Sequence, residues 1–242
     1  MPELLTLYTA KVCPFAHRVE LALAEANVEY QSYQIDLTNK PIWYASKVNP
    51  VGKIPAIAYG GPRVPADQPS PQSFKISESL VLTEFVAEVY ADANLIPKDP
   101  VQRAKVRFFM DAAANKFEPL FFGYTFTGSV DQAGLIKGLE EFQTLLPKEG
   151  YAVGEWSIAD AVVTPFVGRL FLALENDLGR YPVGEGPKTL EIIKTDPKLE
   201  RIRKYMDDVT SRESFMSTFD KPPQPSSVNI GYSYTTNRSS RT

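Results

Sequence analysis

The hydrophobic pattern of this chain changes character once, across Asp92–Pro100, and that change limits what it can fold into. Before it, short apolar runs alternate with segments of helical period. Leu4–Tyr8 reads as a strand and Pro14–Ala26 as a helix; Glu29–Asp36, with Tyr30 and Tyr33 among polar residues, reads as a second strand. Pro41–Lys47 reads as an irregular helical turn, Ile54–Ala58 and Phe74–Ile76 as further strands. Ser79–Ala91 is a helix with Leu80, Leu82, Phe85, Val86 and Val89 at its apolar positions. After the change nothing reads as a sheet. Val101, Ala104, Phe108 and Ala112 begin a long helix, and Asp131–Leu146 gives another. Ser157–Glu175 is apolar nearly all round, as a central buried helix is, and Pro165 predicts a local kink in it. Shorter helices follow near Thr189–Lys194, Leu199–Val209 and Arg212–Phe219.

The order strand–helix–strand–helix–strand–strand–helix is that of a thioredoxin-like α/β layer. The expected fold is therefore α/β followed by all-α. Residues 1–92 form the sheet domain, 101–220 the helical one, and 221–242 a polar tail. A chain of 242 residues has room for two such cores. The tail, rich in Pro, Ser and Thr, has the composition of a disordered segment, with Ile230, Tyr232 and Tyr234 as its candidate anchors. Gly60–Ser73 is far longer than a hairpin loop of about 2–5 residues, and reads either as a mobile insertion or as a wall beside a site.

Chemistry concentrates at Lys11–Arg18, which holds the only cysteine and the only histidine, Cys13 and His17. Pro14 suits the first helical position, where a missing N–H costs nothing. Cys13 then caps the helix, with its sulfur over free backbone N–H groups that favour a thiolate. Lowering a thiol from about 8.5 to about 6 needs roughly 3.4 kcal/mol, whereas a helix end supplies about 0.3–1 kcal/mol, or about 2 in the best geometry. Direct N–H···S bonds, Lys11 or a bound cation must supply the rest. A lone cysteine is commonly a buried structural residue; strand, Cys-Pro, then amphipathic helix is a narrower context and favours a reactive thiol. His17, one turn on, can lean back toward the sulfur as a Cys–His pair; a polar histidine on the helix surface is the plainer expectation.

Composition excludes several classes. A net charge of −3 and the lack of a dense basic run argue against nucleic acid. One cysteine permits no intramolecular disulfide and no cysteine-built metal site. With one histidine besides, neither a conventional zinc nor a catalytic iron centre is expected, so the metal expectation is none. The opening residues do not read as a secretory leader, and no run of 18 apolar residues occurs. A cytoplasmic protein without membrane association is expected.

Cys13-Pro14-Phe15-Ala16-x-Arg18 resembles the start of the cytosolic glutathione transferases, most closely the omega-like class with a catalytic cysteine, and is similar to its fungal members. The resemblance covers about residues 3–220. Four further motifs carry it: Asn39-Lys40-Pro41-x-Trp43, Asn49-Pro50-Val51-Gly52-Lys53-Ile54-Pro55, Ile76-Ser77-Glu78-Ser79 and Ser157-Ile158-Ala159-Asp160. It implies glutathione as co-substrate and a homodimer. It also implies a cis bond before Pro55, leaving the N–H and C=O of Ile54 to pair with glutathione's cysteinyl backbone like a short added strand; an ordinary trans proline opening an edge strand is what the residues alone suggest. Glu78 would pair with the γ-glutamyl ammonium, while Ser79, also read as the N-cap, and the helix N-terminus would hold the carboxylate. Lys40 or Lys53 would meet the glycyl carboxylate, and Phe15 would border the tripeptide. Ser157 and Asp160 form a capping box with a purely structural role.

The resemblance thus implies a glutathione-dependent thiol transferase and reductase acting on glutathione mixed disulfides or dehydroascorbate-type acceptors. With no second cysteine, a dithiol cycle is excluded. Phe121, Phe122, Tyr124 and Phe126 cluster at the end of the first long helix of the second domain; as an acceptor site, Tyr124 and Phe126 would line the cleft and take flat aromatic ligands, and otherwise they are core. Two alternatives stand beside the enzyme. One is a carrier of hydrophobic aromatic molecules with little catalysis. The other is a membrane-inserting relative with the same Cys-Pro-Phe start, against which His17, Arg18, Glu20 and Glu25 make the first helix expensive to place in a bilayer.

Overall fold

Pro14 opens the first helix, where its missing N–H leaves no hydrogen bond unmade. The computed structural model describes residues 3–219. Its first part runs β1 (Leu5–Thr9), α1 (Pro14–Glu25), β2 (Gln31–Gln34), α2 (Ile42–Lys47), β3 (Ala56–Tyr59), β4 (Phe74–Ser77) and α3 (Ser79–Val89). The sheet order is β2-β1-β3-β4, with β1 parallel to β2 and the other pairs antiparallel. This is the thioredoxin-like layer expected. α1 is the crossover that the parallel pair of β1 and β2 requires.

Strand alternation sorts the two faces of the sheet. Leu5, Leu7 and Ile57 pack with Val19, Ala22 and Leu23 of α1 and Leu82 and Val86 of α3. Tyr8, Ala56 and Ala58 turn the other way, onto Ile35, Tyr44 and Val48. The 60–73 segment belongs to this second face. The Tyr8 hydroxyl donates to the carbonyl of Ala66 at 2.9 Å, and Lys75 Nζ donates to the carbonyls of Ser70 and Ser73. The segment is a wall over the sheet.

The second part is helical: α4 (Pro100–Ala112), α5 (Glu118–Phe122), α6 (Gln132–Gln143), α7 (Ile158–Glu175), α8 (Glu185–Thr195), α9 (Glu200–Thr210) and α10 (Glu213–Thr218). α4 and α5 are one continuous rod, extended to Thr127, because wide π turns at Ala113–Phe117 and Gly123–Thr127 join its pieces. The first of these widens the helix ahead of Pro119, whose ring would otherwise meet the preceding turn. Leu95, in the connection, is buried, and its carbonyl accepts the Ile158 N–H at 2.9 Å, so the connection is stitched to the start of α7.

α7 begins with the expected capping box. Asp160 is wholly buried and accepts from Ser157 N–H at 2.9 Å, Ala152 N–H at 2.8 Å and the Tyr205 hydroxyl at 2.9 Å. Burial pushes its carboxyl up to about 6, against the pull of those donors.

α1 is held to the helical part by buried polar bonds along its length. Arg18 donates to Glu118, to the carbonyl of Val162 (2.9 Å) and to Ser79 Oγ (3.1 Å). Glu25 accepts both arms of Arg212, at 2.6 and 2.7 Å, and the Ser214 hydroxyl. Among the described residues no helix is long and apolar enough to cross a membrane. The tail with Ile230, Tyr232 and Tyr234 lies outside them.

Candidate active site

Cys13 is the N-cap of α1, with extended backbone (φ −84°, ψ 116°), and its N–H closes a tight turn onto the carbonyl of Ala10 at 2.8 Å. The residue is 9% exposed and opens on a cavity of about 440 Å³, a size usual for small-molecule sites. The same cavity is lined by Phe15, Lys40, Lys53, Ile54, Pro55, Glu78 and Ser79, together with Leu37 and Asn49. Each residue to which the resemblance gives a role toward the tripeptide is therefore on one wall or another of the space in front of the sulfur.

The electrostatics differ from the sequence expectation. Burial pushes the Cys13 thiol up, and this is the largest influence on it. The N–H groups of Ala16 and Phe15 face the sulfur and pull the other way, as does the charge of Arg169, while Glu20 adds to the rise. A helix end was expected to favour the thiolate; the loss of solvent around a nearly covered sulfur outweighs it.

Opposite the sulfur, the bond between Ile54 and Pro55 is cis. The sheet ladder begins at Ala56, paired with Tyr8 on one side and Ser77 on the other, so Ile54 lies beyond its end. Asn49 explains much of the motif it belongs to. It is buried, its Nδ2 donates to the Lys53 carbonyl at 2.8 Å, and the Tyr44 hydroxyl donates to that same oxygen at 2.8 Å. Gly52 takes a left-handed φ of 68° in this turn, and Lys40 Nζ donates to its carbonyl at 2.9 Å. The side chains of Lys40 and Lys53 are both exposed at the cavity rim.

The cap of α3 is Glu78, and Ser79 is the first helical residue, which corrects the reading of Ser79 as N-cap. The Ser79 hydroxyl is taken up instead by Arg18. Glu78 has φ 73° and ψ 112°, a backbone conformation that side chains other than glycine avoid at a cost of about 1–3 kcal/mol. Its carboxylate is exposed at the cavity rim. Glu78→Gly is expected to raise stability by about 1 kcal/mol, the strain released less the chain entropy of glycine. Denaturant titration measures the effect.

The aromatic expectations divide. Tyr124 is 0% exposed, its hydroxyl lies 2.7 Å from Thr189 Oγ1 and donates to Glu185 at 3.1 Å, and its ring stacks on Tyr181 at 4.6 Å. It is core and lines no cleft. Phe126 is half-buried against Phe121 and Phe122. Phe122 in turn stacks on Phe15 with centroids 6.2 Å apart, so an aromatic series leads from the Cys13 cavity toward Phe126.

His17 is neither on the surface nor paired with the sulfur. It is 1% exposed; Nε2 lies 2.8 Å from Thr218 Oγ1 and Nδ1 lies 3.2 Å from Arg169 Nη1. Burial and the Arg169 charge hold its pKa well below the usual imidazole range. Arg169 is the group the sequence reading missed. Its one signal was a cation inside an otherwise apolar helix. Among the described residues no cluster of His, Cys, Asp and Glu is placed to hold a metal ion.

Comparison with known proteins agrees with this arrangement. Residues 12–89 match the family model described as glutathione S-transferase, N-terminal domain. The crystal structure of glutathione transferase Omega 2C from Trametes versicolor is 52% identical, with a TM-score of 0.88 over 91% of this chain and 94% of that one. That of Omega 2S from the same organism, in complex with 2,4-dihydroxybenzophenone, is 43% identical, with a TM-score of 0.84 over 90% and 94%. Pyrimidodiazepine synthase of Drosophila melanogaster is 30% identical over 212 residues, 81% of this chain and 80% of its own length.

Proposed function

The chain belongs to the omega-class glutathione transferases, and from that membership we propose that it works as a thiol transferase through Cys13 alone. The Cys13 thiolate attacks the glutathionyl sulfur of a mixed disulfide. An enzyme–glutathione disulfide forms and the acceptor leaves as its thiolate. A glutathione thiolate then attacks that disulfide, returning Cys13 and releasing oxidised glutathione. Each mixed disulfide consumes one free glutathione, whose sulfur pairs with the glutathionyl sulfur carried on Cys13; a dehydroascorbate-type acceptor brings no glutathionyl group and takes its two electrons from two glutathione molecules.

In this reading residues 1–92 bind the tripeptide. Ile54 pairs with its cysteinyl backbone, Glu78 takes the γ-glutamyl ammonium, and Ser79 with the start of α3 takes the carboxylate. Lys40 and Lys53 share the rim where the glycyl carboxylate would lie, and Phe15 borders the thiol. The observation that carries the proposal is the sulfur opening on the cavity these residues line. The acceptor lies toward 101–220, and there Phe15, Phe122 and Phe126 support aromatic ligands. A carrier role for such molecules is the second reading, favoured by that aromatic series and by the hydroxybenzophenone bound in the Trametes relative.

Mass spectrometry after incubation with oxidised glutathione tests the cycle. One glutathionyl group per chain is expected, on Cys13. The rate should climb from pH ~7 to ~9, because the raised thiol gains thiolate throughout that range. An unmodified chain, or a rate flat with pH, sinks the scheme.

A further inference from the structure

The tight turn that carries the sulfur rests on a side chain from the other half of the chain. Arg169 of α7, 7% exposed, donates from Nη2 to the carbonyl of Lys11 at 2.9 Å and from Nε to that of Val12 at 3.4 Å. Its Nη1 donates to the Pro165 carbonyl at 3.0 Å and lies against His17. The guanidinium carbon sits 5.4 Å from the ring centre of Phe219, and Phe219 also stacks on His17 and on Phe215 of α10. A planar fork gripping two successive carbonyls fixes the direction of a turn in a way that a single ammonium does not.

We propose that Arg169 is a positioning residue for the Cys13 reaction. Through the Lys11 and Val12 carbonyls it aims the sulfur, its charge stabilises the sulfur anion, and Thr218 and Phe219 brace it from α10 by way of His17. The inference rests on Cys13 being the reacting group. Other charged and titratable groups also face the sulfur. Glu20 opposes the anion and Arg18 favours it from α1, Tyr44 faces it from α2, and His17 lies beneath, its pKa lowered by burial. Lys40, Lys53 and Glu78 stand across the cavity. Arg169 is the cation that the helical part supplies.

Cys13 is the sole thiol, so the pH profile of alkylation by iodoacetamide reports on it alone in the full chain. Arg169→Gln is expected to move the midpoint up by about one pH unit, which is about tenfold slower alkylation near neutrality. Arg169→Lys keeps the charge and loses the fork. It should restore the midpoint while leaving the kcat of thiol transfer low and the KM for glutathione unchanged. A wild-type midpoint in folded Arg169→Gln overturns the proposal, as does a lysine variant with wild-type kcat. If Arg169→Gln does not fold, Phe219→Ala, which removes the ring over the guanidinium, should shift the midpoint the same way, and no shift overturns the proposal equally. Alkylation needs no glutathione. Failure of glutathionylation would sink the proposed cycle and leave this midpoint shift standing.

Discussion

Cys13→Ser is expected to lower thiol transfer by at least about 10³-fold, some ~4 kcal/mol of transition-state stabilisation. The chain has no other thiol, so the enzyme–glutathione disulfide has no other place to form. A serine hydroxyl is nearly isosteric, and at a site 9% exposed its effect on stability should stay within about 1 kcal/mol. Binding of glutathione should survive, because the proposed contacts lie at Ile54, Glu78, Ser79 and the two lysines. The variant can gain something as well. A serine at the same cap stands under the N–H groups of Phe15 and Ala16 and can donate to the thiolate of bound glutathione, so conjugation of electrophiles should persist or rise. Parallel assays of transfer and conjugation on both proteins separate these outcomes. Transfer above a tenth of the wild-type rate in Cys13→Ser would remove the sulfur from the mechanism.

Asp160→Ala should cost about 3–5 kcal/mol of stability. It strands the N–H groups of Ala152 and Ser157 and the Tyr205 hydroxyl, all buried, at about 1–3 kcal/mol each before partial relaxation, and it removes the reciprocal half of a capping box. At about 2–4 °C per kcal/mol for a chain of this size, the midpoint of thermal unfolding should fall by roughly 10–15 °C. The folded carboxyl is raised to about 6, above the unfolded ~3.9, so its contribution is fully present below the unfolded value and fades as pH rises through about 6. The alanine variant lacks this dependence. Its deficit against wild type should therefore be larger at pH ~4 than at pH ~7, and thermal scans at the two values decide whether it is.

These two residues also show what could be read before any coordinates. Asp160 was legible as a capping box because a cap is a local pattern of four residues. The strands and helices were legible for the same reason, since period and punctuation lie along the chain, and boundaries moved by only a few residues. Pro55, Ile54, Glu78 and the lysines became legible through motif resemblance; their types alone gave an edge strand, a cap and solvated charges. What failed was whatever depended on distant segments. His17 was expected at the surface, but α10, some 200 residues later, covers it. Tyr124 reads from sequence as either cleft lining or core, and it is Tyr181, Glu185 and Thr189 that enclose it as core. For the thiol, the helix end, the N–H groups and Lys11 are legible in the local sequence, but the desolvation that the rest of the fold imposes is not. Ser79 was preferred as cap on propensity, whereas the chain accepts a left-handed glutamate one residue earlier.

The bonds that anchor α1 bear on how the protein is made. His17, Arg18 and Glu25 find their partners at Thr218, Glu118 and Arg212, all in segments translated later. With only residues up to 90 in place, α1 can lie on the sheet and on α3 and Arg18 can reach Ser79, but Glu118, Arg212 and Thr218 are still missing. Only once the segment from Arg212 to Thr218 has packed onto α1 are those bonds complete.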